Sequence, residues 1–259
     1  MELARNKIRL FQEFIWNFYH TNGRIFAWRN IRDPYKIVVS EIMLQQTQTY
    51  RVEQKYEQFI IELATFDNLA SASLRTIFSL WQGLGYNRRA LYLQKIAQKV
   101  TEEFGGQLPD SPAILETFPG IGKATAASIC AFAFNSPTIF IETNIRAVFI
   151  HSFFPQQTSV TDKNIMPLIE QTLDESNPRE WYYALMDYGV AIKKRYPQLT
   201  KKSAHYNKQS KFEGSDRQIR GMIIKILTGH QKVTKKQLIA LLKNNPKRIN
   251  IILAQLFRE

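Results

Sequence analysis

Apolar residues return every three or four positions along almost the whole chain, and long alternating apolar and polar runs are missing. Ile8, Phe11, Phe14, Ile15 and Phe18 share one helical face near the start; Leu91, Leu93, Ile96, Ala97 and Val100 do so further on. A repeat of this period covers a stripe on a helix and cannot line one face of a strand. The predicted fold class is therefore all-α, with about ten helices joined by short loops. Start signals at Ser111-Pro112, Thr161-Asp162 and Thr234 each precede an apolar run, while Gly105-Gly106 and Gly189 are expected near helix ends. Lys193 to Phe212, "KKRYPQLTKKSAHYNKQSKF", is polar and aperiodic and reads as a linker or extended arm. Beyond it, Asp216 to Leu227 and Thr234 to Phe257 read as two or three more helices.

A chain of 259 residues with 44% hydrophobic side chains can bury a substantial core. Its formal net charge is +13, and the excess is confined to one quarter: from Lys193 onward there are 17 Lys and Arg against 3 Asp and Glu. Such a density favours a polyanionic partner, DNA or RNA ahead of a membrane surface, although a solvated basic tail has the same composition. No apolar run approaches the roughly 20 residues that cross a bilayer, and no secretory leader pattern opens the chain. The one cysteine, Cys130, excludes an internal disulfide and any multi-cysteine zinc or iron–sulfur site. A cytoplasmic setting is the expectation, as is a monomer.

Between two helical runs lie only five residues, "FPGIG", Phe118 to Gly122. Two glycines one residue apart permit a tight turn with positive φ and close approach of another backbone, and a helix with outward N–H groups follows. An anionic oxygen fits such a place, and so does a plain turn between packed helices. The spacing is not that of a Walker loop.

"FPGIGKATA" resembles the hairpin of the helix-hairpin-helix DNA glycosylase superfamily. "PYKIVVSEIMLQQTQ" (Pro34 to Gln48), "WQGLGYNRRA" (Trp81 to Ala90) and "IETNIRAVF" (Ile141 to Phe149) follow in that family's order, so the similarity covers roughly Phe26 to Ala191. The branch most resembled is the MutY-type adenine glycosylases. The resemblance implies a two-domain fold: a six-helix barrel domain with the hairpin over 25–136, and a second helical domain from 1–24 and 137–200. A basic arm and a small helical module of winged-helix-like kind would occupy 201–259. It further implies double-stranded DNA carrying a damaged or mismatched base as partner, and hydrolytic removal of an adenine opposite 8-oxoguanine or guanine. Another target, a mismatched thymine or oxidised pyrimidine, stays open, as does a non-catalytic DNA-binding protein.

Two carboxylates carry the chemical expectation. Glu41 stands between "IVVS" and "IMLQQ"; facing inward it would stay protonated by desolvation and could donate a proton, facing outward it is an ordinary helix residue. The resemblance puts the catalytic acid there. Glu142 precedes the helix-like "TNIRAVF", where a helix dipole favours the ionised form; an anion there could stabilise an oxocarbenium-like transition state or simply cap the helix. The family has Asp at this position, so Glu142 is a departure, and Asn144 matches the asparagine of the motif. By resemblance Gln46 and Tyr86 wedge into the base stack of a flipped nucleotide. Trp28 and Arg29 line the base pocket, and Gly120, Gly122, Lys123 and Thr125 touch DNA at the hairpin.

Most members of the branch hold a [4Fe–4S] cluster in a four-cysteine loop, which this chain cannot supply; no cofactor is expected, and at most a monovalent cation at the hairpin. Bifunctional relatives carry a Schiff-base lysine directly before the threonine that follows the hairpin. Here that residue is Ala124, and Lys123 lies one position early, about 100° around the helix. The resemblance thus implies base removal without a lysine-dependent strand cut.

Overall fold

The computed structural model describes residues 2–229 and 232–258. The described residues form fourteen α-helices and no strand. In chain order they are α1 (Arg5–Asn22), α2 (Pro34–Leu44), α3 (Thr49–Glu62), α4 (Phe66–Ser71), α5 (Leu74–Trp81), α6 (Arg88–Phe104) and α7 (Pro112–Leu115). The remainder are α8 (Lys123–Phe134), α9 (Thr143–Phe153), α10 (Asp162–Thr172), α11 (Pro178–Arg195), α12 (Asp216–Gly229), α13 (Lys235–Leu242) and α14 (Pro246–Phe257), with a 3-10 turn over Leu199–Lys202. The fold class is all-α, as the periodicity predicts. The extra helices are the short ones, such as α4 and α7, which offer too few turns for a period to emerge.

Side chains start many of these helices by taking up the otherwise unpaired first-turn N–H groups. Thr65, Ser73 and Ser111 accept from the third residue of α4, α5 and α7, and Thr161 and Thr234 form capping boxes before α10 and α13. Gly105 ends α6 in the left-handed region at φ +59°. Gly189 does not end a helix, contrary to the sequence expectation. It lies inside α11, where a Cβ would come within 2.5 Å of the Asn144 carbonyl oxygen at the start of α9. A bare Cα there lets the two helices cross at contact.

The chain divides into two compact units, and the division differs from the one expected. One unit holds the chain up to Ile37, Pro109–Thr117 and Ile121–Lys208. Its core draws Phe11 and Ile15 from α1, Val148 and Phe149 from α9, Leu168 and Ile169 from α10, and Trp181, Tyr182 and Leu185 from α11. The hairpin helix α8 belongs here through Ala131, Phe132 and Ala133, not with a separate barrel over 25–136. Much of the stretch read as a linker is also built into this unit. Lys193–Arg195 complete α11, and Val160 N–H donates to the Lys202 carbonyl at 2.8 Å while Ala204 N–H donates to the Val160 carbonyl at 2.9 Å.

The second unit comprises Val38–Leu108, Phe118–Gly120 and the chain from Gln209 onward. Val52, Tyr56, Phe59, Leu69, Ile77, Trp81, Leu93, Ile96 and Val100 are among its buried side chains. The three C-terminal helices share a core of their own, Ile219, Ile223, Leu238, Leu242, Ile249, Ile252 and Leu253. They are nevertheless attached to α5: Arg75 donates to the Thr228 carbonyl and Gln82 to Thr228 Oγ1, both at 2.8 Å. The C-terminal region is thus grouped with the helices before the hairpin instead of forming the separate piece expected over 201–259.

Candidate active site and nucleic-acid interface

Glu142 caps α9. The N–H groups of Asn144 and Ile145 donate to its Oε1 at 2.7 and 2.9 Å, and Asn144 Nδ2 donates to Oε2 at 3.1 Å. Both oxygens are therefore oriented, and the carboxylate is fixed at the positive end of a helix. The cap holds the carboxylate in one orientation. Asn144 Oδ1 is buried and has no hydrogen-bond partner among the described residues, an acceptor that a water or ligand can fill. Lys193, one turn beyond Gly189 on α11, is half-buried; burial lowers its amine below the ordinary lysine value, Glu142 opposes the shift and Arg24 adds to it.

Behind this helix start lies a buried ion cluster. Arg29 Nη1 and Nη2 donate to the two oxygens of Asp187 at 2.8 and 2.7 Å, and Arg24 donates through its backbone N–H at 2.7 Å and Nε at 2.8 Å. Burial alone would raise the Asp187 carboxyl, but hydrogen bonds and charge from Arg29 and Arg24 outweigh it and hold the group below the usual carboxylate range. Arg29 and Trp28, which the resemblance assigns to a base pocket, are both packed inside. Trp28 stacks on Phe26 at 4.9 Å between ring centroids, and the Arg29 guanidinium, committed to Asp187, lies 4.5 Å from the Tyr183 ring.

Glu41 belongs to the second unit and sits on α2, partly buried between the buried Ser40 and Ile42. Just after α2, Gln46 is exposed and adopts φ +54°; Tyr86, at the start of the turn leading into α6, adopts φ +47°. A bulky side chain in the left-handed region is strained by about 1–3 kcal/mol and persists only where neighbours enforce it. The enforcing residue is Arg89. Nη1 donates to the carbonyls of Ile42 and Met43 at 2.7 and 2.9 Å, and Nη2 to Thr47 Oγ1 at 2.7 Å and the Gly85 carbonyl at 3.0 Å. Thr47 Oγ1 in turn donates to the Leu84 carbonyl at 3.0 Å. One guanidinium thus ties the end of α2 to the turn before α6, and it lies 5.5 Å from the Tyr86 ring centroid. Desolvation lowers its pKa to about 10. Arg89 is not among the candidate residues drawn from the motifs; the signal that marks it is its position four residues before Leu93, which puts a cation on the buried stripe of α6.

At the hairpin, Gly120 is in the left-handed region at φ +77°, and a Cβ there would meet the Tyr92 ring at 2.4 Å. Gln45 Nε2 donates to its carbonyl at 3.3 Å. Gly122 has an ordinary φ of −96° and open space around its missing Cβ. Nothing in the protein demands a glycine there, whereas an incoming backbone would. Gly122 is also the N-cap of α8, with no side chain capping the first turn. Lys123 and Ala124 are exposed and Thr125 is half-buried. Cys130 is buried further along α8, its thiol pushed up to about 12 by burial and by Asp110. A four-thiolate cluster does not fit this donor set.

The all-helical scaffold thus carries an oriented carboxylate at one helix start, a glycine hairpin with no side-chain cap, and two residues, Gln46 and Tyr86, in the left-handed region. The chain belongs to the HhH-GPD superfamily of base excision DNA repair proteins, whose model matches residues 39–175. An adenine DNA glycosylase of Buchnera aphidicola subsp. Baizongia pistaciae is 36% identical over 188 residues, covering 71% of this chain and 53% of that one, so the chain spans about half the length of this curated relative. A thymine/uracil-DNA glycosylase of Methanothermobacter thermautotrophicus is 29% identical over 197 residues, covering 74% of this chain and 89% of that one. Among solved structures, a thermostable thymine-DNA glycosylase superposes with a TM-score of 0.64 at 26% identity, over 71% of this chain and 87% of that one.

Proposed function

We propose that the chain excises adenine mispaired with 8-oxoguanine or guanine from duplex DNA, as a monomer and by hydrolysis. The observation that carries this reading is Glu142, an anion oriented by two backbone N–H groups and the Asn144 amide in the segment that matches the family's motif. In the proposed reaction Glu41 protonates a ring nitrogen of the flipped adenine, making the base a better leaving group. The bond to the sugar breaks, and the Glu142 carboxylate stabilises the positive charge that develops on the sugar. A water that donates a hydrogen bond to the unfilled Asn144 Oδ1 attacks the sugar carbon, gives up a proton to the Glu142 carboxylate and leaves an abasic site. Gln46 and Tyr86 hold open the gap in the stack, and Gly120, Gly122 and the first turn of α8 take up backbone phosphates beside Lys123 and Thr125.

Adenine is supported by the Buchnera relative. A second reading, removal of thymine or uracil, is favoured by the Methanothermobacter enzyme, of which this chain spans 89%. A single-turnover assay on A:8-oxoguanine, A:G, T:G and oxidised-pyrimidine duplexes separates them. Adenine release that Glu41→Gln abolishes, with duplex binding retained, is the expected result. Release of thymine alone selects the second reading, and no release from any of the four would sink both. Ala124 at the position of the Schiff-base lysine leads us to expect no borohydride-trapped adduct; a trapped adduct that requires Lys123 overturns that assignment.

A further inference from the structure

Tyr86 is held from two sides. Gly83 and Gly85, at φ +95° and +74°, turn the chain sharply before it, and Arg89 fixes the Gly85 carbonyl beneath. From the other side comes the C-terminal region. Arg217, in the first turn of α12, donates through Nη1 to the Tyr86 hydroxyl at 2.5 Å, and its guanidinium carbon lies 5.4 Å from the ring centroid. Nη2 of the same guanidinium donates to the Ser210 carbonyl at 2.7 Å, which sets its plane. Gln209 Nε2 donates to the same hydroxyl. Two donors thus satisfy the two lone pairs of the phenol, while a cation covers its ring.

The far end of α12 is tied down independently through Thr228, which receives Arg75 and Gln82 from α5 and the residue after it. Those bonds make α12 a strut between α5 and the turn that carries Tyr86. A solubility tail would have no such attachment, and a freely tethered DNA-binding module would not present its arginine to one hydroxyl.

We propose that Arg217 is a positioning residue for base extrusion: the C-terminal three-helix module clamps Tyr86 in the conformation that enters the duplex. The proposal rests on the glycosylase reading above. Releasing the clamp lets the Tyr86 ring swing on its fixed backbone, so the gap left by the flipped nucleotide closes more often before chemistry. The loss of one charge-assisted hydrogen bond of this kind corresponds to about a tenfold change in rate.

The test is a double-mutant cycle in the full chain with Arg217→Ala, Tyr86→Phe and both together, plus Arg217→Lys. Two readouts are taken: single-turnover base release, and fluorescence of a 2-aminopurine placed beside the target base, which rises on unstacking. The expected result is about a tenfold slower release and a smaller fluorescence rise for Arg217→Ala. Arg217→Lys should recover part of both, and the double variant should be no worse than the more impaired single one. Thermal unfolding of each variant is recorded. If Arg217→Ala unfolds early, Arg217→Lys and Tyr86→Phe, which keep the module packed, still complete the comparison through the fluorescence signal.

Multiplicative effects in the double variant, or a release rate for Arg217→Ala within twofold of the wild type, overturn the proposal. Faster release by Arg217→Ala overturns it in the opposite sense, because the module then masks Tyr86. Wild-type protein that unstacks the 2-aminopurine in an Arg217-dependent way yet releases no base retains the clamp and refutes the catalytic reading instead.

Discussion

Arg89 is a cation held at 8% exposure by carbonyl and hydroxyl oxygens, with no carboxylate among its partners. Such a residue is kept for what it joins, since burying it costs desolvation that no counter-ion repays. Arg89→Met fills similar space and removes the tie, leaving several buried carbonyls unpaired. We expect a loss of about 3–5 kcal/mol in chemical denaturation. Arg89→Lys should retain the burial but not the two-loop bridge, so base release should fall more than stability does. Asp187 shows the opposite logic, an anion between two arginines. Its carboxyl is held low in the folded protein, so its contribution to stability is full above the ordinary carboxylate pKa and drains away as the pH falls through the lower folded value. Asp187→Asn should cost about 3–5 kcal/mol at pH 7, and denaturation midpoints of the two proteins should converge as the pH drops below about 4. Convergence at neutral pH would mean that Arg24 and Arg29 find other partners.

The same substitution at two glycines inside helices should give opposite signs, because elements differ in what they are packed against. Gly189→Ala on α11 gains helix propensity of about 1 kcal/mol but drives a Cβ to 2.5 Å from the Asn144 carbonyl, so it should destabilise the protein. It should also displace the capped start of α9, and with it Glu142, slowing base release by about a hundredfold for a shift near 1 Å. Gly221→Ala on α12 meets nothing within 4 Å and should stabilise by about 0.5–1 kcal/mol. Thermal melts of both variants check the pair. This contrast marks the border of what the sequence made legible. Helix class, the start signals before α7, α10 and α13, and the Gly120 turn all follow from local chemistry, and so were readable. The interior place of Gly189 was not, since a glycine that relieves a crossing looks the same in sequence as one that ends a helix. Nor could a period disclose the six residues of α4, or the fact that α8 packs with helices that flank it at a distance along the chain. In the candidate site, Glu142 was placed at a helix start by its neighbours alone, while the bonds that orient both of its oxygens required the fold.

At the scale of the whole molecule, the basic quarter is not one tail. Lys193 to Lys208 carries six Lys and Arg with no acid and is folded into the first unit, whereas Gln209 to Arg258 carries eleven against two acids and belongs to the second. Both units therefore acquire positive charge from a single stretch of sequence, and such charge favours a polyanion. In the second unit Lys235, Lys236, Lys243 and Lys247 are exposed on α13, the turn after it and the start of α14, on the outside of the core formed by Leu238, Leu242 and Ile249. If these lysines follow a phosphate backbone, each one engaged releases counter-ions and adds roughly 0.9 to the slope of log affinity against log salt. Replacing all four by Gln leaves that core untouched, so the fold should persist while the slope falls by about 2–4 and affinity at low salt drops accordingly. Because phosphates carry no sequence information, the loss should be equal for matched and mispaired duplexes. The Arg217 variants should behave differently, changing base release with little effect on the slope. Titrations of both duplexes between about 50 and 200 mM salt separate the two roles. An unchanged slope in the four-lysine variant would return those side chains to the status of a solvated face, and leave the hairpin and the Lys193 to Lys208 segment as the source of the electrostatic term.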